Sequence, residues 1–274
     1  MFAAFRLKHL PLAFAALAGL AAHASAQESV SDRFASEAVV LTLVAEEPDA
    51  AGAVRAALRI DLAPGWKTYW LDPGDAGIAP MVDVSQSQNA VADTLSFPAP
   101  RRFGDESGSS NGYVQPMAIA IRMHAPLARE ETVVRAKVFI GVCRDICIPV
   151  AADLATVPRS DAGSVVAAAF DALPAAGDGQ SGITDAALSA DGATLSVTAN
   201  WRGTDTPDLF VAGPQGWSFG TPTSAERVGN RIAFTLPVRS KPRRAATTPP
   251  TLDMVMTAGA SAVEARAVIP GRLP

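Results

Sequence analysis

The sequence predicts an all-β chain built as two β-sandwiches in tandem, and three observations carry that reading. Apolar and polar residues alternate with period two over many short stretches, 21 glycines and 21 prolines are spread along the chain, and only one segment has a helical pattern of useful length. Period-two alternation places every second side chain on one face, as a half-buried strand requires. Gly and Pro supply the turns between such strands.

Residues 1–26 read as a secretory signal. Arg6 and Lys8 form a positive start, Leu10 to Ala22 is apolar, and Ala24-Ser25-Ala26 is a small-residue cleavage site before Gln27. Removing it leaves about 248 residues, room for two domains of ordinary size. It also removes His9 and His23 and takes the formal charge from −4 to −6. An acidic product whose one histidine is His124 argues against a nucleic-acid surface and a multi-histidine metal site. No later stretch approaches the roughly 18 uninterrupted apolar residues of a spanning helix.

The first sandwich is expected over residues 30–158. Ala38 to Val44, Val54 to Leu62, Met117 to Met123 and Thr132 to Ile140 all alternate as strands. Pro64-Gly65 opens an aromatic cluster, Trp66-Lys67-Thr68-Tyr69-Trp70, in which Trp66, Thr68 and Trp70 share one face and Tyr69 points the other way. The two tryptophans are the natural core residues. Asp72 to Gly77 follows as a turn-rich loop. Phe97 to Tyr113 reads as a long loop, and its Phe103 and Tyr113 are the only large aromatics between Phe97 and Phe139.

Cys143 and Cys147 are the only cysteines of the chain. In a fully extended strand their Cα atoms would lie roughly 13 Å apart, whereas a disulfide needs roughly 4.4–6.8 Å. A bond therefore requires the chain to turn or coil through Arg144-Asp145-Ile146. Closing so small a loop removes little entropy from the unfolded chain, which argues against a mainly structural staple. Locally closed, strained disulfides are the kind used for thiol exchange.

Spacing alone leaves two other readings open. One is a solvent-exposed structural disulfide in an exported protein. The other is a Cu(I) site, with Met117, Met123 or His124 adding a ligand to two thiolates. A structural zinc site wants four Cys or His ligands, more than the exported chain offers. No phosphate-binding loop and no Ser-His-Asp or Cys-His arrangement is forced by the sequence, and no cofactor is expected. Cys143 ends an apolar strand and is expected at its buried end. Cys147 lies beyond the turn, nearer the surface, with Arg144 favouring a thiolate and Asp145 opposing it.

Five blocks in order carry a resemblance. They are Gly65 to Trp70, Pro73 to Pro80, Ser85 to Asn89, Phe97 to Phe103, and Val142-Cys143-Arg144-Asp145-Ile146-Cys147-Ile148-Pro149. Together they resemble the periplasmic N-terminal domain of DsbD-type disulfide reductases, in the variety found in ScsB, the suppressor of copper sensitivity. The resemblance implies an immunoglobulin-like domain in the periplasm whose cysteines, Cys143 and Cys147, take electrons from a membrane-embedded thiol reductase. It implies thioredoxin-like periplasmic proteins as partners and the later cysteine as the one that forms the mixed disulfide. The transmembrane and thioredoxin-like domains of full-length members are not in this sequence, so another chain is expected to supply the electrons. In this setting Phe103 and Tyr113 are expected to cap the disulfide, with Tyr69 lining the same site.

Beyond Pro158, Ser164 to Leu173 is the one expected helix, closed by Pro174, and Ala175 to Gly182 reads as linker, so residues 159–180 join the two units. The second sandwich, residues 181–274, is expected from the strands Thr194 to Ala199, Leu209 to Val211, Arg231 to Val238 and Leu252 to Met256. The sequence gives it no chemistry. The basic run Arg239-Ser240-Lys241-Pro242-Arg243-Arg244 reads as a solvated hairpin loop.

Overall fold

A computed structural model describes residues 31–105, 108–242 and 250–269 of the chain. The expected signal lies outside these residues, as do Arg243 and Arg244 of the basic run. The first unit contains β1 (Arg33–Ala35), β2 (Val39–Ala45), β3 (Ala53–Leu62), β4 (Lys67–Gly74), β5 (Met81–Asp83), β6 (Val91–Ser96), β7 (Arg101–Asp105), β8 (Gly108–Tyr113), β9 (Met117–His124), β10 (Val134–Cys143) and β11 (Cys147–Thr156). They form two antiparallel sheets, β1-β2-β3-β9-β6 and β11-β10-β4-β8-β7, with β5 on the flank of β10. Leu41, Leu43, Leu58, Ile60, Ile119 and Ile121 of one sheet meet Trp70, Val138, Ile140 and Val142 of the other. This is the β-sandwich that the alternation predicts, in the immunoglobulin-like form that the resemblance implies.

After β11 comes α1 (Gly163–Asp171), which lays Val166 and Ala169 on Val44, Ala57 and Ala120 and so covers the outer face of the first sheet. The second unit contains β12 (Ala175–Ala176), β13 (Gly182–Leu188), β14 (Thr194–Asn200), β15 (Asp208–Ala212), β16 (Ser218–Phe219), β17 (Ser224–Val228), β18 (Arg231–Ser240), β19 (Thr251–Ala258) and β20 (Ser261–Val268). Its sheets are β12-β20-β19-β15 and β13-β14-β18-β16, with β17 on β18, around Leu195, Val197, Phe234, Leu236, Met254 and Met256.

Two expectations are corrected here. Ala175 to Gly182 is more than a linker, because β12 lies within it and pairs in parallel with β20. Phe97 to Tyr113 is not an open loop, because β7 and β8 form an antiparallel hairpin that extends the cysteine-bearing sheet past β4.

The two units share apolar packing. Phe210, Ala212 and Val255 of the second belong to the same buried cluster as Trp70, and the Phe210 and Trp70 rings meet edge to face at 6.2 Å.

Candidate functional site

Cys143 ends β10 and Cys147 begins β11, paired across the three-residue turn Arg144-Asp145-Ile146. Their Cα atoms are 4.1 Å apart and the sulfurs are bonded. The turn that the spacing demanded is thus a β-hairpin. β11 is the edge strand of its sheet, which accommodates Pro149 opposite Gly141 without losing an internal ladder bond.

Alternation along β10 points Val134, Ala136, Val138, Ile140 and Val142 into the core and Lys137, Phe139, Gly141 and Cys143 outward. Cys143 is nevertheless only 2% exposed, while Cys147 is exposed. Something other than the core must cover the outward face, and two elements do so. One is Tyr69 of β4, 3% exposed, whose hydroxyl lies 2.8 Å from the Cys143 Sγ and 3.4 Å from the Cys147 Sγ. The other is the β4–β5 connection. A Cβ on Gly141 would come within 2.6 Å of Ile78, and one on Gly77 within 2.6 Å of the Tyr69 ring, so both glycines let this segment lie flat over the strand end.

Phe103 of β7 stands on the far side of Tyr69, with ring centroids 6.2 Å apart and the Lys67 ammonium 5.1 Å from its ring. Burial raises the Tyr69 pKa, so the phenol keeps its proton and serves as a hydrogen-bond donor to sulfur. At the turn, Arg144 pairs with Asp145 at 3.1 Å and lies over the Trp66 ring at 5.1 Å. The two charges largely compensate one another beside the sulfurs.

Tyr113 departs from expectation. It lies opposite Thr68 in the ladder and therefore on the face away from Tyr69. It is 7% exposed, belongs to the core cluster, and donates its hydroxyl to the Pro98 carbonyl at 2.8 Å. Tyr113 is a core residue of the hairpin and not part of a cap. The extra copper ligands considered from the sequence are also placed elsewhere. Met123 is buried in the core, Met117 packs against that core from the other end of the same strand, and His124 binds Asp93 at 2.8 Å, all on the opposite sheet. Among the described residues no group of three or more His, Cys, Asp or Glu could hold a metal ion.

A disulfide at a strand end, with one sulfur buried under a phenol and the other open, is an arrangement that a thiolate can attack at the open sulfur. Residues 38–159 match the family model described as the N-terminal part of the thiol:disulfide interchange protein DsbD. Residues 172–271 match a domain of unknown function. The crystal structure of the N-terminal periplasmic domain of ScsB from Proteus mirabilis has the same fold. At 20% identity the match reaches a TM-score of 0.66 and covers 87% of this chain and 97% of that one, so the likeness extends through both sandwiches. No curated protein matches.

Proposed function

We propose that the chain is a periplasmic thiol–disulfide exchange protein, delivered by its signal, that carries electrons from a membrane-embedded thiol reductase to disulfides of thioredoxin-like proteins. Residues 30–158 are the redox unit and 181–274 the second sandwich, extended back to Ala175 by its pairing strand. No described helix is long and apolar enough to cross a membrane.

The observation that carries the reading is the asymmetry of the pair, with Cys147 exposed and Cys143 buried at 2.8 Å from the Tyr69 hydroxyl. A partner thiolate attacks the Cys147 Sγ, the intramolecular S–S bond breaks, and Cys143 leaves as a thiolate that receives the Tyr69 hydrogen bond. A second partner thiol then attacks the mixed disulfide and releases Cys147. The partner's dithiol has become a disulfide, and Cys143 and Cys147 hold two electrons and two protons. Discharge runs the same steps in reverse, with Cys147 attacking the substrate disulfide.

Titration against glutathione buffers tests this. A potential above about −300 mV fits a carrier, and one well below it marks an inert structural bond.

A further inference from the structure

The β7–β8 hairpin is held from behind by the second sandwich. Neighbouring residues of a strand point to opposite faces. Phe103 therefore faces Tyr69 while Arg102 and Asn111, paired across the hairpin, face the other way, towards β15. Arg102 spends all five of its N–H donors there. Nε and Nη2 grip the two Asp208 carboxylate oxygens at 3.0 Å each, and Nη2 also reaches the Leu209 carbonyl at 3.1 Å. Nη1 reaches Thr221 Oγ1 at 3.2 Å and Asn111 Oδ1 at 2.9 Å. The guanidinium also lies 4.6 Å from the Phe210 ring centroid.

Two further ties bracket this one. Asp72, 4% exposed, accepts the Phe219 amide on one oxygen and the Gly74 amide on the other, both at 3.0 Å, and the Asn111 side chain donates to its carbonyl at 3.1 Å. Asp75 accepts the Ser109 amide of β8 at 3.1 Å on one oxygen and pairs with Arg239 of β18 at 3.1 Å on the other. Among the described residues, the side chains of the second sandwich that make polar bonds to the first, Asp208, Thr221 and Arg239, meet Arg102 of the hairpin and Asp75 of the loop beside it.

We infer that the second sandwich sets access to the disulfide by fixing the hairpin that carries Phe103, with Arg102 as the positioning residue that transmits this. A bidentate, charge-assisted pair fixes orientation as well as distance, so one hairpin face is anchored while the other is presented to Tyr69. The inference rests on the exchange reading and on Phe103 backing the Tyr69 ring that covers the pair.

The test is the rate at which dithiothreitol reduces the oxidised full chain. The reagent becomes its cyclic disulfide and the Cys143–Cys147 bond becomes two thiols. Phe103→Ala and Asp208→Ala should each speed reduction by about tenfold, the effect of about 1.4 kcal/mol on the closed arrangement. The double variant should be no faster than Phe103→Ala alone, and Asp208→Glu should restore part of the protection. Amide exchange should quicken in residues 101–105 and 108–113 of Asp208→Ala at unchanged global unfolding. Arg102→Lys, which keeps the charge and loses the fork, should act like Asp208→Ala, and it carries the test if that variant fails to fold. An accelerated Phe103→Ala beside an unchanged Asp208→Ala overturns the clamp alone, as does full additivity in the double variant. An unchanged Phe103→Ala overturns the cover, and the clamp with it.

Discussion

Two of the strands that break the alternation on which the fold is built do so for different reasons. Ile140-Gly141-Val142-Cys143 at the end of β10 and Leu209-Phe210-Val211-Ala212 of β15 are both buried at every position. A strand buried on both faces has a covering layer on each. Over β15 that layer is the first sandwich, with Trp70 and Arg102 against it, and the result is a joint. Over β10 the layer is a phenol and a loop held flat by two glycines, and the result is a sulfur that only its exposed partner can report on. Continuous burial marks a second layer, and the chemistry of that layer separates a scaffold from a site.

Core truncation is the largest way to challenge this comparison. Trp70 and Phe234 are each 1% exposed, one in each sandwich. Replacing either with Ala should cost about 3–5 kcal/mol in urea unfolding. Because Phe210, Ala212 and Val255 pack into the cluster of Trp70, unfolding should stay a single cooperative transition. Two resolved transitions would show that the joint does not couple the units.

A smaller effect comes from the disulfide itself. On the chain-entropy account, closing a loop this short contributes about 2 kcal/mol, against about 4.7 for a 100-residue loop. The reduced protein should therefore remain folded, with an unfolding free energy in urea titration lowered by no more than that amount. Unfolding on reduction would make the bond a staple and not a carrier.

The smallest effect is a pH dependence at the joint. Burial raises the pKa of Asp72 above its ordinary 3.8, with the Gly74 and Phe219 amides and Arg102 opposing and Asp75 adding to it. A carboxylate with a raised folded pKa contributes stability that is fully present below 3.8 and is lost as pH rises through the folded value. The melting-temperature advantage of the parent over Asp72→Asn should widen as pH falls from about 7 to about 4. Asp178 has the opposite sign, because amides of Ser181 and Gln180 lower its pKa, so its contribution is lost as pH falls through the folded value. A parent advantage over Asp72→Asn that narrows in acid would contradict the assignment.

Much of this was legible in the sequence. Period-two alternation locates the central strands of both sandwiches, and the outward parity of Tyr69 relative to Trp66 and Trp70 puts it on the cysteine side. The buried and open ends of the pair follow from an apolar strand running into a polar turn. The β7–β8 hairpin was not legible, because Gly104, Gly108, Ser109, Ser110, Asn111 and Gly112 are poor strand formers and their pairing comes from β4. Tyr113 was misplaced for the same reason. Once Phe103 pairs with Ser110, a residue three further along β8 must face the other way. Arg102, Asp72 and Asp208 carry no local signal at all, since each acts across more than a hundred residues of sequence.

The central claim is that access, set by what covers β10, makes Cys147 the partner-facing sulfur. Trapping with a thioredoxin-like protein that keeps one active-site cysteine tests it directly. Cys143→Ala should form a stable mixed disulfide through Cys147, and Cys147→Ala should form none. Trapping by Cys147→Ala as well as or better than by Cys143→Ala would contradict the account and make the strand-end sulfur the exposed one.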